Sequence, residues 1–111
     1  MITFDQMTDA MMRTGIPFAV GGWKRAKELA GDYGVIALDS ELTLFSDNRR
    51  GERIMEGTID LFAIENRGTV NARRIEEVLD EAGAPWSLNL PGKYEPDTGY
   101  THWEWVFRCL P

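Results

Sequence analysis

Few residues in this chain are equipped for covalent or acid–base chemistry. Its 111 residues include one histidine, His102, and one cysteine, Cys109. A nucleophile relay needs a Ser, Thr or Cys held by a base and an orienting acid. His102 falls on the polar side of a strand-like segment with no nucleophile at a local spacing, and alternation puts Cys109 on the other side. A lone cysteine forms no intramolecular disulfide, and one Cys beside one His argues against a structural zinc site. Glu76 and Asp80 are spaced i, i+4, as are Glu77 and Glu81. Such pairs can hold a divalent ion or exchange protons, but on a helix they more often form a solvated face. Gly21-Gly22 has neither the spacing nor the Lys-Ser/Thr ending of a phosphate loop. The expectation is a non-enzyme, with no catalytic, cofactor-binding or metal-binding residue.

The most distinctive polar cluster is Asp47-Asn48-Arg49-Arg50-Gly51-Glu52-Arg53. Its acidic spacing is wrong for a calcium loop, and arginines intrude. Asp-Asn and Gly mark a turn, and guanidinium groups suit carboxylate or phosphate partners. Asp47, Asn48, Arg49, Arg50 and Arg53 are therefore the candidate protein-interface residues; the alternative is an exposed hairpin tip.

These residues belong to a small acidic protein. Its length is that of one domain, residues 1–111. With 43% hydrophobic and 27% charged residues it is of globular composition, not disordered. The net charge of −6 argues against a generally basic nucleic-acid binder. The charge is uneven: residues 1–75 hold 10 basic and 11 acidic groups, residues 76–111 hold 2 and 7. The first residues are acidic and polar-interrupted, unlike a signal peptide, and no apolar stretch approaches the ~20 residues that span a bilayer. A reducing, intracellular environment is expected.

The elements follow from periodicity. Thr3 and Gln6 have capping-box spacing; Phe4, Met7 and Met11 form the apolar face of a first helix, which Gly15 and Pro17 stop. Ile16–Gly31 is irregular, with one short amphipathic helix expected around Trp23, Ala26, Leu29 and Ala30, and Gly31–Gly34 reads as a turn. Val35–Leu38 reads as a short buried strand, and Glu41–Phe45 either continues it or begins another. Arg53–Ile64 alternates cleanly, with Met55, Gly57, Ile59, Leu61 and Ala63 on one side and Glu56, Thr58 and Asp60 on the other.

Thr69–Ala82 is the clearest helix, with Ala72, Ile75, Val78, Leu79 and Ala82 as its stripe and Thr69 or Asn71 as its cap. Gly83 and Pro85 end it. Its charges oppose the dipole: Arg73 and Arg74 come early, Asp80 and Glu81 late, each costing ~0.3–1 kcal/mol at low salt. That is either a tolerated solvated face or an acidic end awaiting a basic partner. Trp86–Leu90 reads as a strand, Pro91–Thr98 as a loop, and Tyr100–Cys109 as a closing strand with His102, Glu104 and Arg108 on one side and Trp103, Trp105 and Phe107 on the other, the aromatic side as core or as an interface anchor. The expected fold is α+β: an antiparallel sheet of four to five strands with two main helices packed on it.

The ordered layout resembles the small tail-terminator (tail-completion) proteins of tailed bacteriophages and prophages. Thr14-Gly15-Ile16-Pro17-Phe18-Ala19-Val20 resembles the family's opening segment after a short helix, and Tyr33-Gly34-Val35-Ile36-Ala37-Leu38 its first core strand. Phe45-Ser46-Asp47-Asn48 resembles the Asp-Asn turn, and Ile59-Asp60-Leu61-Phe62 the strand before the second helix. Ile75-Glu76-Glu77-Val78-Leu79 with Trp86 resembles that helix and the strand after it. Tyr100-Thr101-His102-Trp103-Glu104-Trp105-Val106-Phe107 resembles the closing aromatic strand. One departure is Asp32, where a proline often precedes the aromatic residue.

The resemblance implies a structural virion protein. Such proteins close the head-proximal end of the tail tube as a ring, commonly hexameric, and join it to the head. The implied partners are further copies of the chain, the tail-tube protein and head-completion or connector proteins, with DNA passing through the lumen without specific binding and no membrane involved. The implied place is the virion tail, assembled in the bacterial host cytoplasm. The alternatives are a neighbouring head–tail joining protein and a small protein-binding adaptor domain using Trp103 and Trp105. If the arginine turn meets an acidic neighbour, reversing the charge of Arg49 and Arg50 together weakens ring assembly or docking to the tail. Normal assembly of that double variant in an in vitro tail-joining assay overturns the assignment.

Overall fold

The computed structural model describes residues 1–21, 31–42, 53–64 and 69–111. Thr3 caps helix α1 (Phe4–Met12) by the expected reciprocal pair: Gln6 N–H donates to Thr3 Oγ1 at 3.2 Å, and Thr3 N–H donates to Gln6 Oε1 at 3.0 Å. Met7, Ala10 and Met11 form the buried face. The chain then enters strand β1 (Phe18–Val20), which lies parallel to β2 (Tyr33–Leu42). Periodicity had no means of finding a three-residue strand. Of the two readings of Glu41–Phe45, the structure has the first: β2 continues to Leu42 across an irregularity between Leu38 and Ser40, and residues 43–45 lie outside the described residues.

β2 also begins earlier than Val35. Tyr33 and Gly34 are strand residues rather than the end of a turn. The Phe18 ring occupies the space a Cβ on Gly34 would fill, within 2.3 Å of it, so this glycine permits packing between β1 and β2. The expected helix at 23–30 and the turn at 47–51 lie outside the described residues.

β3 (Ile54–Ile64) is followed by α2 (Thr69–Ala82), and the hairpin β4 (Trp86–Glu95)–β5 (Tyr100–Cys109) closes the chain. The sheet order is β1-β2-β3-β5-β4, antiparallel apart from the β1–β2 pair. The fold is thus α+β, a mostly antiparallel five-stranded sheet with two helices. The loop expected over Pro91–Thr98 is not found: β4 continues through Pro91-Gly92 to Glu95, and only residues 96–99 form a turn. β4 has register shifts between Leu88 and Lys93. Proline is tolerated because β4 is an edge strand, and Gly92, at φ +73°, lies against the Trp103 indole where any Cβ would collide.

Both helices pack on one face of the sheet. Met7 and Met11 of α1 and Ala72, Ile75 and Leu79 of α2 meet Ile36, Ile59, Leu61, Trp105, Phe107 and Cys109. α2 ends in a Schellman motif: Gly83, at φ +69°, donates to Asp80 O and Ala84 donates to Leu79 O. Asn71 lies within the first turn rather than at the cap. Its amide donates to Asp32 Oδ2 at 2.8 Å, while Asp32 Oδ1 accepts Ile64 N–H at 2.9 Å. Asp32 thereby ties the end of β3 to the start of α2. The termini meet as well, through Phe4 N–H to Leu110 O and Leu110 N–H to Ile2 O, each 2.9 Å. Among the described residues, no helix is long and apolar enough to cross a membrane.

The misplaced acids of α2 have a defined use. Trp105, fully buried, donates its indole N–H to Glu76 Oε2 at 2.9 Å, and Trp86 donates to Asp80 Oδ1 at 2.8 Å. Leaving a buried donor unsatisfied costs about 1–3 kcal/mol. Glu76→Ala therefore lowers unfolding free energy by about that amount, and Glu76→Gln, whose amide oxygen still accepts, restores most of it. Urea denaturation of the two variants checks this; equal losses would show that the indole bond carries no stability.

Candidate functional site

The other face of the sheet carries the titratable groups. No described helix contributes to its apolar cluster, which comprises Tyr33, Val35 and Phe62 with Tyr100 packed against them. Tyr33 stacks on Phe62 at a centroid distance of 4.9 Å, and Tyr100 meets Tyr33 edge-on at 5.4 Å. Phe62 in turn stacks on the His102 imidazole at 4.4 Å with an interplanar angle of 19°. His102 faces Phe62 across the β3–β5 ladder, and Glu104 faces Asp60.

The alternation of β3 and β5 turns Asp60, Phe62, His102 and Glu104 to one side while Ile59, Leu61, Trp105 and Phe107 fill the core. Asp60 Oδ1 accepts His102 Nε2–H at 2.6 Å, and His102 Nδ1 lies 3.8 Å from Glu95 Oε2. On the far side of the pair, Asn89 Nδ2 donates to Glu104 Oε1 at 2.7 Å. Asp60, His102 and Glu104 each offer a ligand atom, and these atoms lie within 4.8 Å of one another. Alternation put Asp60 on one face of its strand and His102 and Glu104 on one face of theirs, but nothing in the sequence paired strands whose Asp60 and His102 lie 42 residues apart. Alternation combined with strand register was the only signal capable of uniting them.

Electrostatics follow from this crowding. Burial opposes charge on His102, but the Asp60 hydrogen bond and the fields of Asp60, Glu95 and Glu104 outweigh it, raising the imidazole pKa above its ordinary value. Burial also raises the Glu104 carboxyl; the adjacent Asp60 carboxylate adds to this, against the Asn89 bond and the His102 charge. Asp39 on β2 is raised by burial and by the fields of Asp60 and Glu56, although Thr58 donates to its carboxylate.

The arrangement can hold protons or a cation; among the described residues it does not assemble a nucleophile relay. The Thr58 hydroxyl is directed to Asp39 at 3.5 Å. Cys109 sits in the core on the opposite face of β5, and burial raises its thiol pKa, which disfavours the reactive thiolate. Trp103 and Trp105 stack with centroids 6.1 Å apart on the core side, so they are core rather than an exposed anchor. Of the interface candidates, Arg53 precedes β3, and its Nε lies 3.3 Å from Glu41 Oε1. With side chains 67% and 47% exposed, that pair contributes little to stability. Asp47, Asn48, Arg49 and Arg50 lie outside the described residues. The Glu76/Asp80 pair is engaged by tryptophans, which accounts for its spacing without catalysis.

The sign of the pH dependence is fixed by the direction of the shifts. A histidine whose pKa is raised by folding stabilises the fold fully below its unfolded pKa of about 6.5 and loses that contribution as pH rises through the folded value. Glu104, also raised, acts in the same sense at lower pH. In EDTA, the thermal midpoint falls as pH climbs from the mildly acidic range past the His102 titration. Asp60→Asn flattens this slope and lowers the imidazole pKa. Because His102 is the sole histidine, its ring NMR signals report the titration without assignment; a pKa at or below about 6.5 in the folded wild type contradicts the electrostatic account.

A scan against protein-family models finds no match to this chain, and a search of the curated proteins finds none either.

Proposed function

We propose that this chain is a structural subunit that closes the head-proximal end of a phage tail tube as a ring and joins the tube to the head. The observation that carries the reading is the succession of elements. A capped helix, a first core strand, a long alternating strand, an amphipathic helix and an aromatic closing hairpin follow one another in the order the resemblance implies. Tyr33–Leu38 lies in β2, Ile59–Phe62 in β3, Ile75–Leu79 in α2, Trp86 at the start of β4 and Tyr100–Phe107 in β5.

Physical requirements support the same reading. A ring subunit needs a rigid body and unlike surfaces that meet heterologously and close. Rigidity comes from the sheet, whose β3 is bonded along its length on both sides. Unlike surfaces are supported by charge: residues 1–75 carry a net −1 and residues 76–111 a net −5. The adaptor alternative relied on an exposed Trp103/Trp105 face, and that face is in the core.

Incubating the purified chain with tail tubes assembled from a tail-tube protein of the same genome tests the proposal. Electron microscopy should show a ring at one tube end, and tubes assembled in its presence should stop growing. Bare tube ends of unrestrained length overturn it, and binding to the head connector alone reassigns the chain as a joining protein.

A further inference from the structure

The Asp60–Glu104 pair poses a problem that the ring reading leaves unanswered. Like charges directly opposite on neighbouring strands are destabilising, yet the β3–β5 register sets these two carboxylates face to face. Asp39 and Glu95 add negative charge nearby, from β2 and β4. Against them stand His102 and, across the β4–β5 ladder from it, the exposed Lys93. A cation held between the carboxylates relieves that repulsion.

We propose that Asp60, His102 and Glu104 form a binding site for a divalent first-row transition-metal ion of the zinc type. The inference is independent of the ring reading. Three features of the geometry support it. The donor set pairs one imidazole nitrogen with two carboxylates, the mixture that suits zinc or its neighbours more than calcium or magnesium. The donors come from adjacent strands of the sheet rather than from loops, with His102 and Asp60 side chains only 17% and 13% exposed.

The third feature is the outer layer. Ligating histidines usually present the second ring nitrogen to a carboxylate, which fixes the tautomer. His102 Nδ1 faces Glu95 at 3.8 Å, the ring plane is set by stacking on Phe62, and Asn89 orients the Glu104 carboxylate. Binding exchanges the 2.6 Å His102–Asp60 hydrogen bond for two metal bonds. The two donor atoms must then separate to roughly 3.3 Å, the spacing set by bonds of about 2 Å in a tetrahedral shell. The proton on Nε2 leaves for solvent as the ion enters. The cysteine-and-histidine count that argued against zinc addressed a different donor set.

The experiment uses the full chain, stripped with EDTA, exchanged into metal-free buffer near neutral pH and titrated with zinc chloride. Calorimetry should give one ion per chain with proton release. His102→Gln and Asp60→Asn should each weaken binding at least about tenfold, while Glu77→Gln on the exposed face of α2 leaves it unchanged. The ring NMR signals of the sole histidine supply a readout that needs no variant: they should shift to a new position at one equivalent of zinc. Ring signals unmoved by millimolar zinc, or His102→Gln binding as tightly as wild type, overturn the assignment.

Discussion

The buried indole N–H of Trp105 finds its acceptor on α2, and that bond helps set how α2 sits on the sheet, whereas the buried indole N–H of Trp103 has no hydrogen-bond partner among the described residues. Trp105 lies in the middle of β5 with no exposed surface, and its donor reaches Glu76. Trp86, at the start of the neighbouring β4, reaches Asp80. Two carboxylates four residues apart lie on one side of a helix, one turn from each other. Two bonds at that spacing fix both the rotation of α2 and its position along its axis, while Ile75 and Leu79 enter the core. The placement of acid late in the helix then has a cause. An adverse dipole contact of about 0.3–1 kcal/mol is smaller than the roughly 1–3 kcal/mol of an orphaned indole.

The same register that buries Trp105 builds the charged cluster on the other face. Ile59 pairs with Trp105 and Leu61 with Trp103, so Asp60 must pair with Glu104 and Phe62 with His102. A slip of one residue would relieve the carboxylate repulsion but turn the apolar set of β5 away from the helices. The core therefore imposes the cluster. Its charges are answered within that geometry by the His102 imidazole and the Asn89 amide. The raised pKa values of His102 and Glu104 are the electrostatic signature of this constraint.

Signals confined to a few residues were legible in the sequence. The Thr3–Gln6 capping box, the Gly83 helix end, the alternation of β3 and β5 and the stripe of α2 all lie within one or two turns or strands. Signals that depend on tertiary neighbours were not. β1 is too short for a period and exists because Phe18 packs over Gly34. β4 continues through Pro91-Gly92 because it is an edge strand whose glycine lies against Trp103. Each member of the Asp60–His102–Glu104 cluster was assigned to the correct strand face, but their meeting depends on β3 and β5 being neighbours. That adjacency is created by the crossover through α2 and has no local trace.

Taking these side-chain partnerships away from the net charge alters which charges are left for the chain's surroundings. The surplus of acid in residues 76–111 includes Glu76 and Asp80, held by indoles, and Glu104, held by Asn89 and the cluster. Glu77, Glu81 and Asp97 are the exposed acids left in that part of the chain. Edge geometry narrows the choice further. β4 is irregular and contains Pro91, features that oppose strand addition. At the other edge β1 pairs only with Gly34–Ile36, so among the described residues β2 from Ala37 to Leu42 has no strand on its outer side. That stretch runs directly in sequence toward Asp47–Arg53. Under the proposed ring reading, the acidic end of α2 would supply one surface and the outer edge of β2 the other. These are unlike surfaces, as a heterologous contact that closes on itself requires.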